Sequence, residues 1–370
     1  MDQAQEIRAR VEAMARKVSE MQVDAMVVAA YENRRYLTGF TGSAGVAIVS
    51  RDPGEQPVLL VDSRYTEQAR AQAVGWEVIQ HGDYVWEAMR DVLQRIGARK
   101  VAFEADHVTV RQASRWQQEM GQFEWVPVEQ QVEALRAVKS PWELERMRRA
   151  VAITDEAFSY ILTVIRPGIT EKEVAWRLEV FMREHGAERL AFDTIVGSGP
   201  NGALPHAYPT DRAIQPGDLV VLDFGCVTDG YHSDMTRTVA VAPVSARARE
   251  IYDLVRRSQE TGVQAVRPGR TGQEVDALAR AVIEEAGLGP YFGHGLGHGV
   301  GLEIHEPIPR LSRVSDGVLV PGMVTSVEPG VYLPGWGGVR IEDLVVVTEG
   351  GCEVLTSSPK DLQVVDGNSG

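Results

Sequence analysis

From residue 166 onward this sequence repeats itself, and the repeat restricts the folds open to it. Arg166-Pro167-Gly168-Ile169-Thr170-Glu171-Lys172-Glu173-Val174 returns as Arg267-Pro268-Gly269-Arg270-Thr271-Gly272-Gln273-Glu274-Val275. Each copy is a Pro-Gly break, a Thr-x-x-Glu capping box and an amphipathic helical stretch closed by a glycine, Gly186 or Gly287. The strands that follow repeat in the same order. Pro216-Gly217-Asp218-Leu219-Val220-Val221-Leu222-Asp223-Phe224-Gly225 matches Pro321-Gly322-Met323-Val324-Thr325-Ser326-Val327-Glu328-Pro329-Gly330. Asp223 thus meets Glu328, each acid closing an apolar run two residues before a glycine. The second copy runs on into Gly338-Val339-Arg340-Ile341-Glu342-Asp343-Leu344, parallel to Asp234 ahead of Thr238-Val239-Ala240-Val241. Two matched segments in one order imply two related α/β halves about a pseudo-two-fold axis, with carboxylates from both converging on one centre.

The chemistry is sharpest at 217–238. The run Leu219-Val220-Val221-Leu222 ends in Asp223, Asp229-Gly230 is a turn pair, and Asp234 opens Met235-Thr236-Arg237-Thr238-Val239. β-type runs flanking Asp-Gly predict an antiparallel hairpin with Asp223 and Asp234 roughly opposite each other. Like charges facing across a buried ladder repel, and burying them unpaired is costly. A cation should sit between them, and a divalent metal is the first candidate.

Three of the eight histidines fall within twelve residues, His294-Gly295-Leu296-Gly297-His298-Gly299-Val300-Gly301-Leu302-Glu303-Ile304-His305. A fourth, His206, lies in Leu204-Pro205-His206-Ala207-Tyr208-Pro209. Glycine-flanked histidines in an apolar context point to a site, because glycine lets backbone approach a ligand closely. The run contains no G-x-G-x-x-G register, which excludes a dinucleotide fingerprint there.

The chain ahead of the repeat reads as a separate α/β domain. Residues 1–22 predict an amphipathic helix with Ile7, Val11, Met14, Val18 and Met21 on one stripe. Apolar strands near 25–28, 45–49 and 57–61 alternate with helical segments near 64–74 and 84–97. The loop YLTGFTGSAG (36–45) is either a turn-dense connector or an arm that reaches a binding site. A boundary falls near 133–139. Ser140-Pro141-Trp142-Glu143 then caps a long helix whose stripe runs from Met147 to Ile165 and stops at Pro167-Gly168. A chain of 370 residues favours two domains. A net charge of −14 makes nucleic acid and anionic membrane poor partners. Two cysteines, Cys226 and Cys352, form no framework and suit a reducing compartment. With no signal-type or spanning apolar run, the expected location is the cytoplasm.

The set LDFG, SDMTRT, HGLGHGVGLEIHE, EPGVY and GVRIED resembles the pita-bread metallopeptidases, and within them the Xaa-Pro peptidases, aminopeptidase P and prolidase. The resemblance implies an α/β fold in two parts. Residues 1–132 form a creatinase-like N-terminal domain, marked by YLTGFTGSAG and Asp62-Ser63-Arg64-Tyr65. Residues 135–357 form the pita-bread catalytic domain, and 358–370 a tail. It implies five metal ligands, Asp223, Asp234, His298, Glu328 and Glu342, holding two divalent ions. Oxygen-rich ligation favours Mn²⁺ and leaves Zn²⁺ or Co²⁺ open. Glu328 is the implied proton acceptor, and His206 and His305 bind substrate and steady the tetrahedral intermediate. His294 lines the proline pocket. Tyr332 and Arg340 support the ligands, with Arg340 also at the substrate. The implied partners are peptides with proline at the second position and a second copy of the chain in a homodimer.

Other readings are a metal-free binding protein on the same fold, creatinase-like hydrolysis without metal, and methionine aminopeptidase. The complete ligand set argues against the first two, and the N-terminal domain against the third. Substrate length is the open point. A dipeptidase neutralises the proline carboxylate, most simply with an arginine a few residues after the last histidine motif. Arg310 is offered there, one residue out of register, while YLTGFTGSAG and DSRY look more like aminopeptidase P. The expectation is an aminopeptidase acting on Xaa-Pro-Yaa, with the dipeptidase as alternative.

Overall fold

The computed structural model describes residues 3–366 and divides between Arg136 and Ala137 into two compact units. In the first unit, strands β1 (Ala25–Val28), β2 (Val46–Ser50), β3 (Val58–Val61), β4 (Glu77–Gln80), β5 (Lys100–Glu104) and β6 (Glu124–Val128) form one mixed sheet in the order β4-β3-β2-β1-β5-β6. Six helices accompany it: α1 (Gln3–Glu20), α2 (Tyr31–Thr38), α3 (Thr66–Gln72), α4 (Val85–Arg95), α5 (Val110–Glu119) and α6 (Gln131–Arg136). Alternate residues of the strands, Val27, Ile48, Leu60 and Val101, pack against Met89 and Leu93 of α4 and Trp116 of α5. On the predicted stripe of α1, Ile7, Met14 and Val18 are buried, while Val11 and Met21 are only half-buried.

The second unit opens with α7 (Pro141–Ile161), whose N-terminus carries the full capping box between Ser140 and Glu143. The predicted stripe is buried from Met147 to Ile165, but regular helix ends at Ile161 and the last residues before Pro167 are turns. Each repeat then builds one helix pair on one sheet. In the first, α7 and α8 (Glu171–Glu184) cover β8 (Ile195–Ser198), β9 (Leu219–Phe224) and β12 (Met235–Val241); β7 (Arg189–Leu190), β10 (Cys226–Thr228) and β11 (Tyr231–His232) form a small sheet beside them. Phe158, Ile161, Val174 and Leu178 meet Leu222, Phe224 and Val239 in its core. In the second, α9 (Ala246–Ala265) and α10 (Gly272–Glu285) cover β13 (Gly297–Gly299), β14 (Glu306–Leu311), β15 (Val324–Val327) and β18 (Asp343–Val347). Val255, Ala279 and Ile283 meet Leu296, Val327 and Val345 there. Thr170 and Thr271 cap α8 and α10 as the repeat predicts, although only Thr271 forms both bonds of the box. The partner of α7 in the second repeat, α9, is an element the sequence reading did not identify.

The Asp229-Gly230 turn has φ of 49° and 83°, the double positive φ of a type I′ hairpin. Its register centres between those two residues, so Asp223 faces Thr236 rather than Asp234, and Asp234 lies on the diagonal. The second repeat has the matching hairpin. Val327 pairs Asp343, and beyond a gap Gly330 of β16 (Gly330–Leu333) pairs Arg340 of β17 (Gly337–Arg340). Both hairpins are therefore interrupted beside the acids: at Gly225 in one, at Glu328-Pro329 in the other.

Residues expected as a tail are woven into this unit over their described part. β20 (Val364–Val365) runs parallel to β12, and Ala240 N and Ala242 N donate to Gln363 O and Val365 O; ahead of the tail, β19 (Cys352–Val354) pairs β18.

Candidate metal centre

The two interruptions free carboxylates from the ladders and aim them at one point. Asp223 is the last residue but one of β9, Asp234 precedes β12, Glu328 follows β15 and Glu342 lies between β17 and β18. His298, the middle residue of β13, joins them, its Nε2 lying 3.3 Å from Glu328 Oε1 and 3.6 Å from Asp234 Oδ2. Ligand atoms of Asp234, His298 and Glu342 all lie within 4.8 Å of one another. Asp234, His298, Glu328 and Glu342 thus meet in one cluster, and Asp223 is near enough to interact electrostatically with Asp234, Glu328 and Glu342.

The electrostatics show a cluster short of positive charge. Burial, with repulsion from Glu342, Asp223 and Glu328, pushes the Asp234 carboxyl well above its usual range. Burial and repulsion from Glu328 and Asp223 do the same to Glu342. Asp223 is also raised by burial, against the pull of the Arg340 guanidinium. Burial would lower His298, but its hydrogen bond and attraction to Glu328 raise it to about 9. Burial would likewise raise Glu328, yet the same bond holds it at about 2. A proton on His298 does here what a cation would do.

The donor set fits divalent ions. Asp223 Oδ1 and Glu342 Oε1 are buried without a hydrogen-bond partner, which is costly for a carboxylate unless a metal takes them. Four carboxylates and one imidazole are hard and borderline donors suited to Mn²⁺, Zn²⁺ or Co²⁺. Ions held there would polarise a carbonyl and acidify a water.

Arg340 is the hub of the surrounding shell. It donates to Asp223 Oδ2 at 2.5 Å, Tyr332 OH at 2.8 Å, Thr236 Oγ1 at 3.0 Å and Pro205 O at 3.0 Å. These bonds commit four of the five guanidinium N–H donors to protein groups. It orients a ligand and tethers the loop that carries His206. Tyr332 OH also meets His294 Nε2 at 3.0 Å. His305 stands edge to face with His298, ring centroids 4.4 Å apart, and is exposed. Desolvation by the protein groups packed around part of the ring, with the neighbouring charges of His298 and His206, holds its pKa below the usual histidine value. His206, exposed on its loop, is near enough to His305 to repel a positive charge there.

Sequence reasoning missed Thr236 and Ser326. Thr236 Oγ1 donates to Glu342 Oε2 at 2.7 Å, and Ser326 Oγ bridges His298 N and Glu328 Oε1 at 3.0 and 3.2 Å. Their only signal was position, one inside SDMTRT and the other two residues before Glu328. The glycines around His298 also have a different role from the one expected. A Cβ at Gly297 would collide with Ser326 O, and one at Gly299 with Ile308 O, so they let β13 sit close between β14 and β15.

The fold and this cluster define a metal-dependent hydrolase of two parts. Residues 145–349 match the metallopeptidase family M24, and residues 10–138 match the creatinase/prolidase N-terminal domain. The chain belongs to metallopeptidase family M24 and has its pita-bread fold. It is similar to the Xaa-Pro dipeptidase of Pyrococcus furiosus, with 36% identity covering 96% of this chain and 100% of that protein. Among solved structures, an Xaa-Pro dipeptidase from Bacillus anthracis superimposes with a TM-score of 0.93 at 43% identity, over 97% of this chain and 99% of that one. An X-Pro aminopeptidase from Thermotoga maritima gives 0.87 at 36% identity, over 94% and 100%.

Proposed function

We propose that the enzyme hydrolyses the peptide bond preceding proline and releases the N-terminal residue of Xaa-Pro-Yaa peptides. The observation that carries this reading is the convergence of five ligands from both repeats beside His206 and His305. In it, Asp223, Asp234, His298, Glu328 and Glu342 hold two divalent ions, Mn²⁺ first. Glu328, held beside His298 and Ser326, takes up the proton released when water attacks. His206 and His305, exposed at the rim, bind the substrate carbonyl and steady the charge that develops on it. His294, fixed by Tyr332, lines the pocket for the proline ring. Relatives named for Xaa-Pro substrates support the proline requirement. No helix among the described residues is long and apolar enough to cross a membrane. A cytoplasmic homodimer is part of the same proposal.

One observation favours the dipeptidase as a second reading. Arg310 lines a cavity of about 330 Å³ together with His294, Arg280, Phe292 and Arg313. An arginine beside the proline pocket suits a free carboxylate. Metal-loaded enzyme assayed on Ala-Pro and Ala-Pro-Ala tests both: cleavage of neither, at full metal occupancy, sinks the proposal.

A further inference from the structure

We propose that Arg237 is a positioning residue for the metal centre, binding the described C-terminal segment to the backbone of the ligand Glu342. The proposal rests on Glu342 being a ligand, and the experiment below separates the two.

Arg237 lies on β12 between Thr236 and Thr238, and its side chain is 1% exposed. It does not face the metal centre. It donates to the backbone carbonyls of Glu342, Ser358 at 2.8 Å and Pro359 at 3.2 Å, to Asp343 Oδ1 at 2.7 Å, and back to Thr236 O at 3.0 Å. Asp343, next to the ligand, collects the other ties. It accepts from Thr356 Oγ1 at 2.8 Å, Gln259 Nε2 at 2.9 Å and Lys360 Nζ at 2.8 Å. The segment is pinned from the far side as well, since Asp155 of α7 accepts both the backbone N–H and the hydroxyl of Ser357 and of Ser358.

Glu342 is therefore held twice. Thr236 fixes its carboxylate from the site side, and Arg237 fixes its carbonyl from behind. This matters because Glu342 sits in the gap between β17 and β18, which belong to different sheets. A backbone bond from Glu342 N to Thr236 O, 3.0 Å, ties that gap to β12. Rotation of the 342–343 peptide would swing the carboxylate away from Asp234 and His298. A planar guanidinium can serve this spread of acceptors, whereas an ammonium with three donors on one atom cannot. The C-terminal segment thus acts as a brace for the metal centre rather than an appendage.

The test compares R237K, K360M and E342Q with the parent enzyme. Each metal-free protein is melted, then loaded with Co²⁺; affinity is measured by chelator competition and the ligand field by visible absorption. R237K should bind one of its ions roughly tenfold to a hundredfold more weakly, as loss of an outer-shell partner does. Its Co²⁺ bands should shift and kcat should fall with little change in KM; the metal-free melting temperature should also fall, because buried carbonyls lose their donor, so the metal affinity and spectrum are the deciding readouts. K360M should shift affinity and bands in the same direction by less. Parent-like affinity and spectrum in R237K, with E342Q losing an ion, overturn the role of Arg237. If E342Q keeps both ions, the ligand assignment fails first and the proposal with it. Should R237K not fold, K360M decides, and an unchanged Co²⁺ spectrum there counts against the brace.

Discussion

The two halves of the catalytic unit share a plan and divide the labour unequally. In each, a helix pair covers a sheet, and a hairpin is interrupted beside an acid. The interruptions have different causes. In the first half Gly225 lets the backbone pass close to Ser233, where a Cβ would collide with the Ser233 carbonyl. In the second, Pro329 has no N–H to give to a ladder. The first half supplies Asp223 and Asp234 to the cluster, and its imidazole, His206, stands near His305 rather than among the carboxylates. The second supplies Glu328 and Glu342 and adds β13 with His298, and its hairpin carries Arg340 back to Asp223. The pseudo-symmetry brings four acids to one point; the additions to the second half make the point usable. Zipping the halves together are Thr236 and Thr238 of β12, bonded to Glu342 and Arg340.

If the halves contribute equally to metal binding, one acid from each should be equally indispensable. Asp234→Asn and Glu342→Gln are each expected to lose at least one ion and to lower kcat/KM by more than about a hundredfold, beyond the cost of an outer-shell change. Metal content of the purified variants, with activity after reloading, checks this. An Asp234→Asn enzyme with both ions and full turnover would break the equivalence. A smaller effect separates ligands from substrate groups. His206→Ala and His305→Ala should keep both ions and lose about a hundredfold in kcat, the scale of one group that stabilises developing charge. Metal loss on His206→Ala would show that its role and that of His298 had been exchanged.

Much of this asymmetry is legible in the sequence. The repeat exposes Asp223 against Glu328, because an acid closing an apolar run is conspicuous twice. The capping boxes at Ser140 and Thr271 are local signals and form as read. What fails is what depends on distant partners. Thr236 and Arg237 look like ordinary strand residues until residues more than a hundred positions away come against them. Helix α9 escapes notice because charged residues such as Arg249, Arg256 and Arg257 interrupt its apolar run, and the repeat is marked from the Pro-Gly break rather than before it. Asp223 and Asp234 miss each other by a diagonal, because counting from Asp229 overlooks that the turn centres between Asp229 and Gly230.

The pairing of His298 with Glu328 predicts a pH dependence that metal should erase. Without metal, His298 titrates near 9 in the fold against about 6.5 when unfolded. A raised histidine gives stability that is complete below the unfolded value and lost as pH rises through the folded one. The melting temperature of the chelated enzyme should therefore fall between about pH 6.5 and 9. The raised carboxyls of Asp223, Asp234 and Glu342 act in the same sense, since the fold favours their protonated forms. Metal requires these groups deprotonated, so the loaded enzyme should lack this decline. Melting curves of chelated and reloaded protein across that range check it, and Glu328→Gln in the chelated form should flatten the slope.

The smallest expected effect concerns the one arginine whose place the sequence misjudges. Counted from His305, Arg310 seems one residue out of register. In the fold, the β13–β14 ladder skips from His298–Arg310 to Gly299–Glu306, so 307–309 bulge out and Arg310 lands directly across from His298. Counting along the chain therefore does not set its reach; the bulge does. Arg310 lines the cavity that His294 also lines. If it serves the free carboxylate of a dipeptide, Arg310→Ala should lower kcat/KM for Ala-Pro by roughly tenfold and leave Ala-Pro-Ala nearly unchanged, because only the dipeptide presents that charge there. If the enzyme is an aminopeptidase, Ala-Pro-Ala is already the better substrate and the variant alters the two alike. The ratio of the two rates in parent and variant distinguishes these outcomes and is insensitive to how much enzyme is loaded with metal. A parent that prefers Ala-Pro, with the preference removed in the variant, would transfer the enzyme to the dipeptidases.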